Sequence, residues 1–179
     1  MATIAIGSLM FVFFALLRLS LWANFEWHVR TSAINPWQFH QVATLVGVDE
    51  AVGSLNDEEQ LWHRVSEGIG SGDSAWLRVA NHLAKSNGAH TLEETYAALS
   101  VALDKNPELV FELGNVKLEM VCALFDDAHG ERTVDLQALY VQRVKKLRAM
   151  ENGRYAQKAA ECRERAKYLL EHAKELGRK

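Results

Sequence analysis

Cysteine and proline are scarce in this chain, which has two of each among 179 residues. So few cysteines exclude a disulfide-dense scaffold, and neither Cys122 nor Cys162 has a histidine at finger spacing to complete a zinc site. The two prolines, Pro36 and Pro107, mark breaks between helices rather than interruptions within them. Strand signals are nearly absent. Catalytic signatures are missing as well. His28, His40, His63, His82, His90, His129 and His172 form no HExxH motif and no i,i+4 pair, so no metal or other cofactor is implied.

The glycine-rich stretch Gly68-Ile69-Gly70-Ser71-Gly72 fails each motif it could belong to. No lysine follows Gly72, which excludes a P-loop. Asp73 stands where a dinucleotide fingerprint needs its last glycine, and no strand precedes it. A nucleophile elbow at Ser71 needs flanking glycines where Ile69 and Asp73 stand. The stretch reads as a flexible linker between helices.

What is present begins at the N-terminus, where Ala2 to Leu17 is a nearly unbroken apolar run ended by Arg18. Such a segment addresses a chain to the export machinery. Three readings compete: a cleaved signal peptide, an uncleaved membrane anchor and a buried core helix. Ile4 to Leu17, at ~1.5 Å per residue, falls short of a ~30 Å hydrocarbon core and fits a signal h-region. A cut after Ala23 would place Leu21 where a small residue is wanted, and no Lys or Arg precedes the run. The anchor reading extends the span through Leu19, Leu21 and Trp22. Arg18 would then snorkel, and Trp22, Phe25 and Trp27 would form an interfacial belt. Arg18 and Arg30 on the C-terminal flank favour a cytoplasmic domain, which counts against an exported one. A core helix that is apolar all round needs a larger protein to cover it.

Beyond the leader, residues 24–54 read as a membrane-proximal segment with a short helix, and 55–179 as one helical domain. The net charge of −3 conceals an asymmetry. Residues 49–127 hold fifteen Asp/Glu against five Lys/Arg, whereas 131–179 hold seven against thirteen. Two oppositely charged parts of one domain explain this; a surface for an acidic partner or anionic lipid is the alternative. In an oxidising compartment Cys122 and Cys162 would form one disulfide, with two buried free thiols as the alternative.

Helix signals partition the domain. Asn35-Pro36 opens a helix over Trp37–Val46 ending at Gly47. Asn56 or Asp57 caps Glu58–Glu67, with Leu61, Trp62 and Val65 on one face. Asp73 or Ser74 caps Ala75–Lys85, which has Trp76 on its inner face; Trp62 and Trp76 are the expected core anchors. Thr91 and Glu94 read as a capping box for a helix through Leu103. Asn106-Pro107 starts a helix toward Leu113, and Val116–Phe125 reads as another. The chain then ends in a helical hairpin over 133–177. Its first arm, Thr133–Asn152, aligns Leu136, Leu139, Tyr140, Val144 and Leu147. After Gly153, residues 155, 159, 162, 166, 169, 173 and 176 form a heptad seam. The matching stripes make an intramolecular seam, hence a monomer, the expectation over a dimer.

Charged clusters read as solvated. Asp57/Glu58/Glu59, Glu93/Glu94 and Asp126/Asp127 sit at helix starts or loops. The hairpin's Arg143, Lys145, Lys146, Arg148, Arg154, Lys158, Arg163, Arg165 and Lys167 are interleaved with glutamates, so salt-bridged faces are expected and nucleic acid is not.

From Leu61 onward the chain resembles small uncharacterised exported or periplasmic all-helical bacterial proteins. The shared pattern comprises Leu61-Trp62, Ser71-Gly72-Asp73-Ser74-Ala75-Trp76-Leu77, Ala97-Ala98-Leu99-Ser100-Val101-Ala102-Leu103, Asn106-Pro107, and Val121-Cys122 with a late Cys162. It spans roughly two-thirds of the chain; Ala123-Leu124-Phe125-Asp126-Asp127 departs from the Pro-containing loop of that pattern. The resemblance implies joined cysteines, a cell-envelope location and no chemistry. The expectation is therefore an all-α, single compact multi-helix bundle preceded by an N-terminal hydrophobic helix. It is non-enzymatic and binds another envelope protein. An envelope hydrolase using a carboxylate near Gly68–Gly72 is the first alternative, and an anionic lipid or nucleic-acid binder acting through the basic hairpin is the second.

Overall fold

The computed structural model describes residues 12–25, 34–53, 59–123 and 136–175. All regular structure among these is α-helical, with no strand among the described residues. The chain divides into two compact units, residues 1–63 and 64–179.

In the first unit, residues 12–25 form α1, followed by α2 (Pro36–Leu45) and α3 (Val48–Gly53). Asn35 caps α2 as expected: its side-chain oxygen accepts from the Gln38 N–H at 3.0 Å, and Pro36 takes the first helical position. Phe25 and Phe39 are buried edge to face with ring centroids 5.9 Å apart, joining α1 to α2. Asn24 accepts from Gln38 at 3.5 Å, and Arg18 donates to the Val46 carbonyl at 3.1 Å. As position rises along α1 it falls along α2, so the two helices run antiparallel. Arg18 thereby supplies a positive charge and a donor to the electronegative end of α2. The short α3 buries Ala51 and Val52. Next comes α4 (Glu59–Gly70), which begins in this unit, where Leu61 and Trp62 are buried. The cap positions expected for it, Asn56 and Asp57, lie outside the described residues.

The second unit holds the end of α4, then α5 (Ser74–Leu83), α6 (Ala89–Lys105), α7 (Pro107–Glu112), α8 (Leu118–Val121), α9 (Leu136–Arg148) and α10 (Ala156–Glu175). Between α4 and α5 the expected flexible linker is instead the end of a helix and a tight turn. Gly68 and Gly70 lie inside α4, and Gly70 and Gly72 are buried. A β-carbon on Gly68 would lie 2.5 Å from the Trp76 ring, so the indole lies directly on the backbone there. Trp76 is half-buried over that glycine rather than a core anchor. Gly72 has φ +77°, and a β-carbon on it would sit 3.2 Å from that of Asn106. Asn106 also donates to the Gly72 carbonyl at 3.2 Å, pinning the turn to the α6–α7 junction rather than capping α7 with its side chain. Asp73 caps α5, accepting from Ala75 N–H at 2.9 Å and Trp76 N–H at 3.3 Å.

At the centre of this unit lies α6, packed against α5, α7, α8 and α9. Ala97, Ala98, Ser100 and Ala102 are all buried, and such small side chains let neighbouring helices approach closely on several sides. The expected capping box is absent. The helix starts at Ala89 with Gly88 as its N-cap and no side-chain cap bond, so Thr91 is buried inside it. The Ser86 hydroxyl accepts from the Gly88 N–H at 3.1 Å, which closes the preceding turn, and the helix starts three residues early. Between α7 and α8 the chain is held by Asn115, which bonds twice to Asn81, and by the Lys117 N–H, which donates to the Tyr96 hydroxyl at 3.0 Å. Only Leu118–Val121 of the expected Val116–Phe125 helix is helical among the described residues.

The apolar stripe expected along α9 is interrupted by its most consequential residue. Arg143 is 1% exposed. Its Nε and Nη2 donate to both Asp104 carboxylate oxygens, at 2.9 and 2.8 Å. Nη2 also reaches the Ser100 carbonyl at 2.7 Å, and Nη1 reaches the carbonyls of Ala123 at 2.7 Å and Cys122 at 3.5 Å. A guanidinium has five N–H donors, and each has an acceptor here. Together these bonds join α6, the end of α8 and α9. The Ser100 hydroxyl reinforces the site by donating to the Ala123 carbonyl at 2.6 Å.

Directly beside this network Cys122 and Cys162 are disulfide-bonded with α-carbons 4.9 Å apart, tying the end of α8 to α10. Along α10, Ala159, Cys162 and Ala166 are fully buried; Leu170 is buried and Leu169 half-buried, so the inner face shifts by one residue at that end. The seam's positions 173 and 176 lie outside the described side chains. Beside α10 runs α9, joined to it through residues 149–155.

Removing one member of a buried ion pair leaves the other charge uncompensated. Arg143→Met should therefore lower the unfolding free energy by ~3–5 kcal/mol. Arg143→Lys, with three donors and no fork, should recover only part of that loss. Chemical denaturation checks both, and wild-type stability for the lysine variant would contradict the network's role. Gly72→Ala should cost ~1–2 kcal/mol through its left-handed backbone. Gly114→Ala, with open space around the site, should stay within ~0.5 kcal/mol.

Candidate functional site

Exposed apolar surface is concentrated on α1. Phe13, Leu16 and Leu19 are 63%, 60% and 64% exposed, and Val12, Phe14 and Leu17 are exposed as well. At ~100° per residue these side chains cover more than half of the helix circumference, and Ala15 and Arg18 occupy the remaining sector. Val12, Leu16 and Leu19 share one side, Phe13 and Leu17 the next, and Phe14 lies opposite. Past Arg18 the character changes: Leu21 and Trp22 are half-buried, and Phe25 is buried against α2. Among the described residues, α1 is thus exposed over residues 12–20 and packs on protein at Leu21, Trp22 and Phe25. No helix among the described residues is long and apolar enough to cross a membrane.

Of the residues expected at a membrane interface, Arg18 is exposed and bonded to the end of α2. Trp22 lies beside Phe25 with centroids 6.1 Å apart, and Trp27 falls outside the described residues. Another aromatic is presented instead. Trp37, at the start of α2, is 65% exposed. Helical spacing alone does not single it out, because its exposure depends on which side of α2 faces α1.

Elsewhere the candidates are engaged structurally. Asp73, the carboxylate beside the glycine stretch, is occupied by two backbone N–H groups, and the Ser71 hydroxyl donates to the Gly68 carbonyl at 2.6 Å. Arg143, counted among the basic residues able to meet phosphate, is buried and cannot do so. The carboxylates at 57–59, 126 and 127 lie outside the described side chains. Among the described residues no three His, Cys, Asp or Glu side chains converge to hold a metal.

The titratable group displaced from its ordinary value is Tyr155, whose pKa is raised by partial desolvation and by its hydrogen bond to Glu112 at 2.8 Å. Its ring lies 5.9 Å from that of Phe111, and the Arg154 guanidinium sits 5.1 Å from its centroid. Nearby, Lys158 donates to the Phe111 carbonyl at the end of α7. The cluster fastens α7 to the start of α10.

Comparison with known protein families, with functionally characterised proteins and with solved structures finds no match.

Because the folded-state pKa of Tyr155 is raised, its contribution to stability is complete below the ordinary phenol range and lost as pH rises through the raised value. Ultraviolet titration, with Tyr155→Phe as the subtraction control, should show this phenol ionising late. Glu112→Gln should bring it back toward 10.0 by removing the carboxylate acceptor. An unchanged titration in that variant would show that Glu112 is not a cause.

Proposed function

We propose that this chain is a membrane-tethered helical protein of the bacterial cell envelope. Its folded part faces an oxidising compartment and acts by binding another envelope protein rather than by catalysis. In this reading α1 is an N-terminal hydrophobic helix that remains attached, and α9 with α10 forms a terminal helical hairpin.

The observation that carries it is the exposure of large apolar side chains over more than half the circumference of α1 from Val12 to Leu19, a wider arc than one docked helix covers. A partner helix docked on one side would leave the others in water. Hydrocarbon covers every side at once, and burying a Leu or Phe side chain is worth about 1.5–3 kcal/mol. Retention of the leader is supported by the Arg18–Val46 contact. A cut after Ala23 would remove Arg18 from α2. The oxidising location is supported by the buried Cys122–Cys162 pair. The interaction role is supported by carboxylates and hydroxyls that serve as caps and turn closures.

In cells the full chain should sediment with membranes, resist alkaline extraction and show an intact mass that includes the leader. Both thiols should be blocked to alkylation until reductant and denaturant are added together. Leu16→Ser combined with Leu19→Ser should release a large share into the soluble fraction. Full-length protein dissolved in the cytosol with both thiols alkylated would overturn the reading. Gentle detergent extraction should also recover a stoichiometric envelope partner; repeated recovery of the chain alone would remove the interaction role.

A further inference from the structure

The basic residues of the C-terminal region divide into three groups that the sequence presents as one. Arg143 is buried in its own network. Three of those on α10 are matched locally, while Lys167 is exposed without an ion pair among the described residues. Arg163 pairs with Glu151, Lys158 with the Phe111 carbonyl, and Arg165 lies 5.5 Å from the Tyr168 ring centroid. Glu161, Glu164 and Glu171 share that helix. The remaining group, on α9, is different. From Leu136 to Arg148 this helix has no acidic residue. Lys145, Lys146 and Arg148 are exposed and have no ion pair among the described residues. Val141, 56% exposed, lies one turn before Lys145 and two turns before Arg148 on the same face.

We propose that the exposed side of α9 binds the headgroup region of an anionic lipid surface, with Lys145 and Arg148, in line with Val141, meeting phosphates, Lys146 reaching them from the flank, and Val141 entering the acyl boundary. The proposal rests on the membrane-tether reading, which would hold the chain beside such a surface. Three cations of one sign without partners attract an anionic interface, and each contributes roughly 5-fold to binding at the surface. The macrodipole accounts for cations in the last turn of α9, but not for an exposed valine in line with them. Single-stranded nucleic acid is the less favoured occupant because Val141, rather than an aromatic stacking platform, stands beside the cations.

Flotation with vesicles tests this, comparing pure phosphatidylcholine with an equal mixture of phosphatidylcholine and phosphatidylglycerol. The proteins are the full chain and its Leu16→Ser/Leu19→Ser variant, in which apolar insertion is weakened. Anionic vesicles should bind the Ser variant on the order of 100-fold better than neutral ones at low salt, and the excess should shrink as salt screens it. Adding Lys145→Gln, Lys146→Gln and Arg148→Gln should remove the excess while binding to neutral vesicles stays unchanged. An anionic excess that survives the three substitutions would overturn the proposal. So would loss of thermal stability without any change in vesicle binding, which would leave the cations as helix-end stabilisers. Tighter, substitution-sensitive binding to single-stranded DNA than to anionic vesicles would overturn it in favour of nucleic acid. Failure of the tether reading shows separately, as neutral-vesicle binding that does not fall when Leu16 and Leu19 become serine.

Discussion

The second unit depends on a single buried cation. Arg143 arrives on α9 with five donors, and the surrounding helices supply acceptors for all of them: two carboxylate oxygens from Asp104 and carbonyls from Ser100, Cys122 and Ala123. A desolvated guanidinium is tolerable only when its charge is compensated and its donors are saturated. The carbonyls of Cys122 and Ala123 stand at the end of α8, so one charge compensates Asp104 and donates to acceptors at a helix terminus. The adjacent disulfide connects this junction to α10. Removing the guanidinium would leave Asp104 without its charge partner, and at the α8 end the Ser100 hydroxyl would remain as donor to the Ala123 carbonyl.

Close backbone approach is the second constraint. The α4–α5 turn can rest on the α6–α7 junction because Gly72 has no side chain to hold it away, and Trp76 covers Gly68 for the same reason. Small residues give α6 the same access to four neighbours. In the first unit the logic is reversed. The far half of α1 presents large side chains that nothing among the described residues covers, and it is this contrast that directs attention to the membrane.

Much of the helical organisation was legible from local chemistry. Asn35-Pro36 and Asp73 open helices through short-range cap bonds, Pro107 opens α7 through its fixed φ, and Gly47 follows the end of α2. The apolar spacing along α10 predicted that Ala159, Cys162 and Ala166 face inward, because a helical period is a local property. Where the structure differs, a neighbour outside the local pattern decides the outcome. Thr91 and Glu94 have the spacing of a cap, but the turn closed by Ser86 starts the helix earlier. The glycines between 68 and 72 resemble a linker until Trp76, Val101 and Asn106 are seen against them. Arg143 looked like one more solvated cation, since nothing within its own helix reports the carboxylate of Asp104, 39 residues away in the chain.

By itself the sequence determined the all-helical class, most helix starts and the apolar character of the leader, since each follows from residues within one or two turns of each other. Tertiary structure alone decided which glycines are contact points and which cation is buried. It also separated Lys158, Arg163 and Arg165, which have partners, from the exposed cations of α9. Burial and charge pairing are properties of neighbours brought together from far along the chain, and no local window contains both members of such a pair.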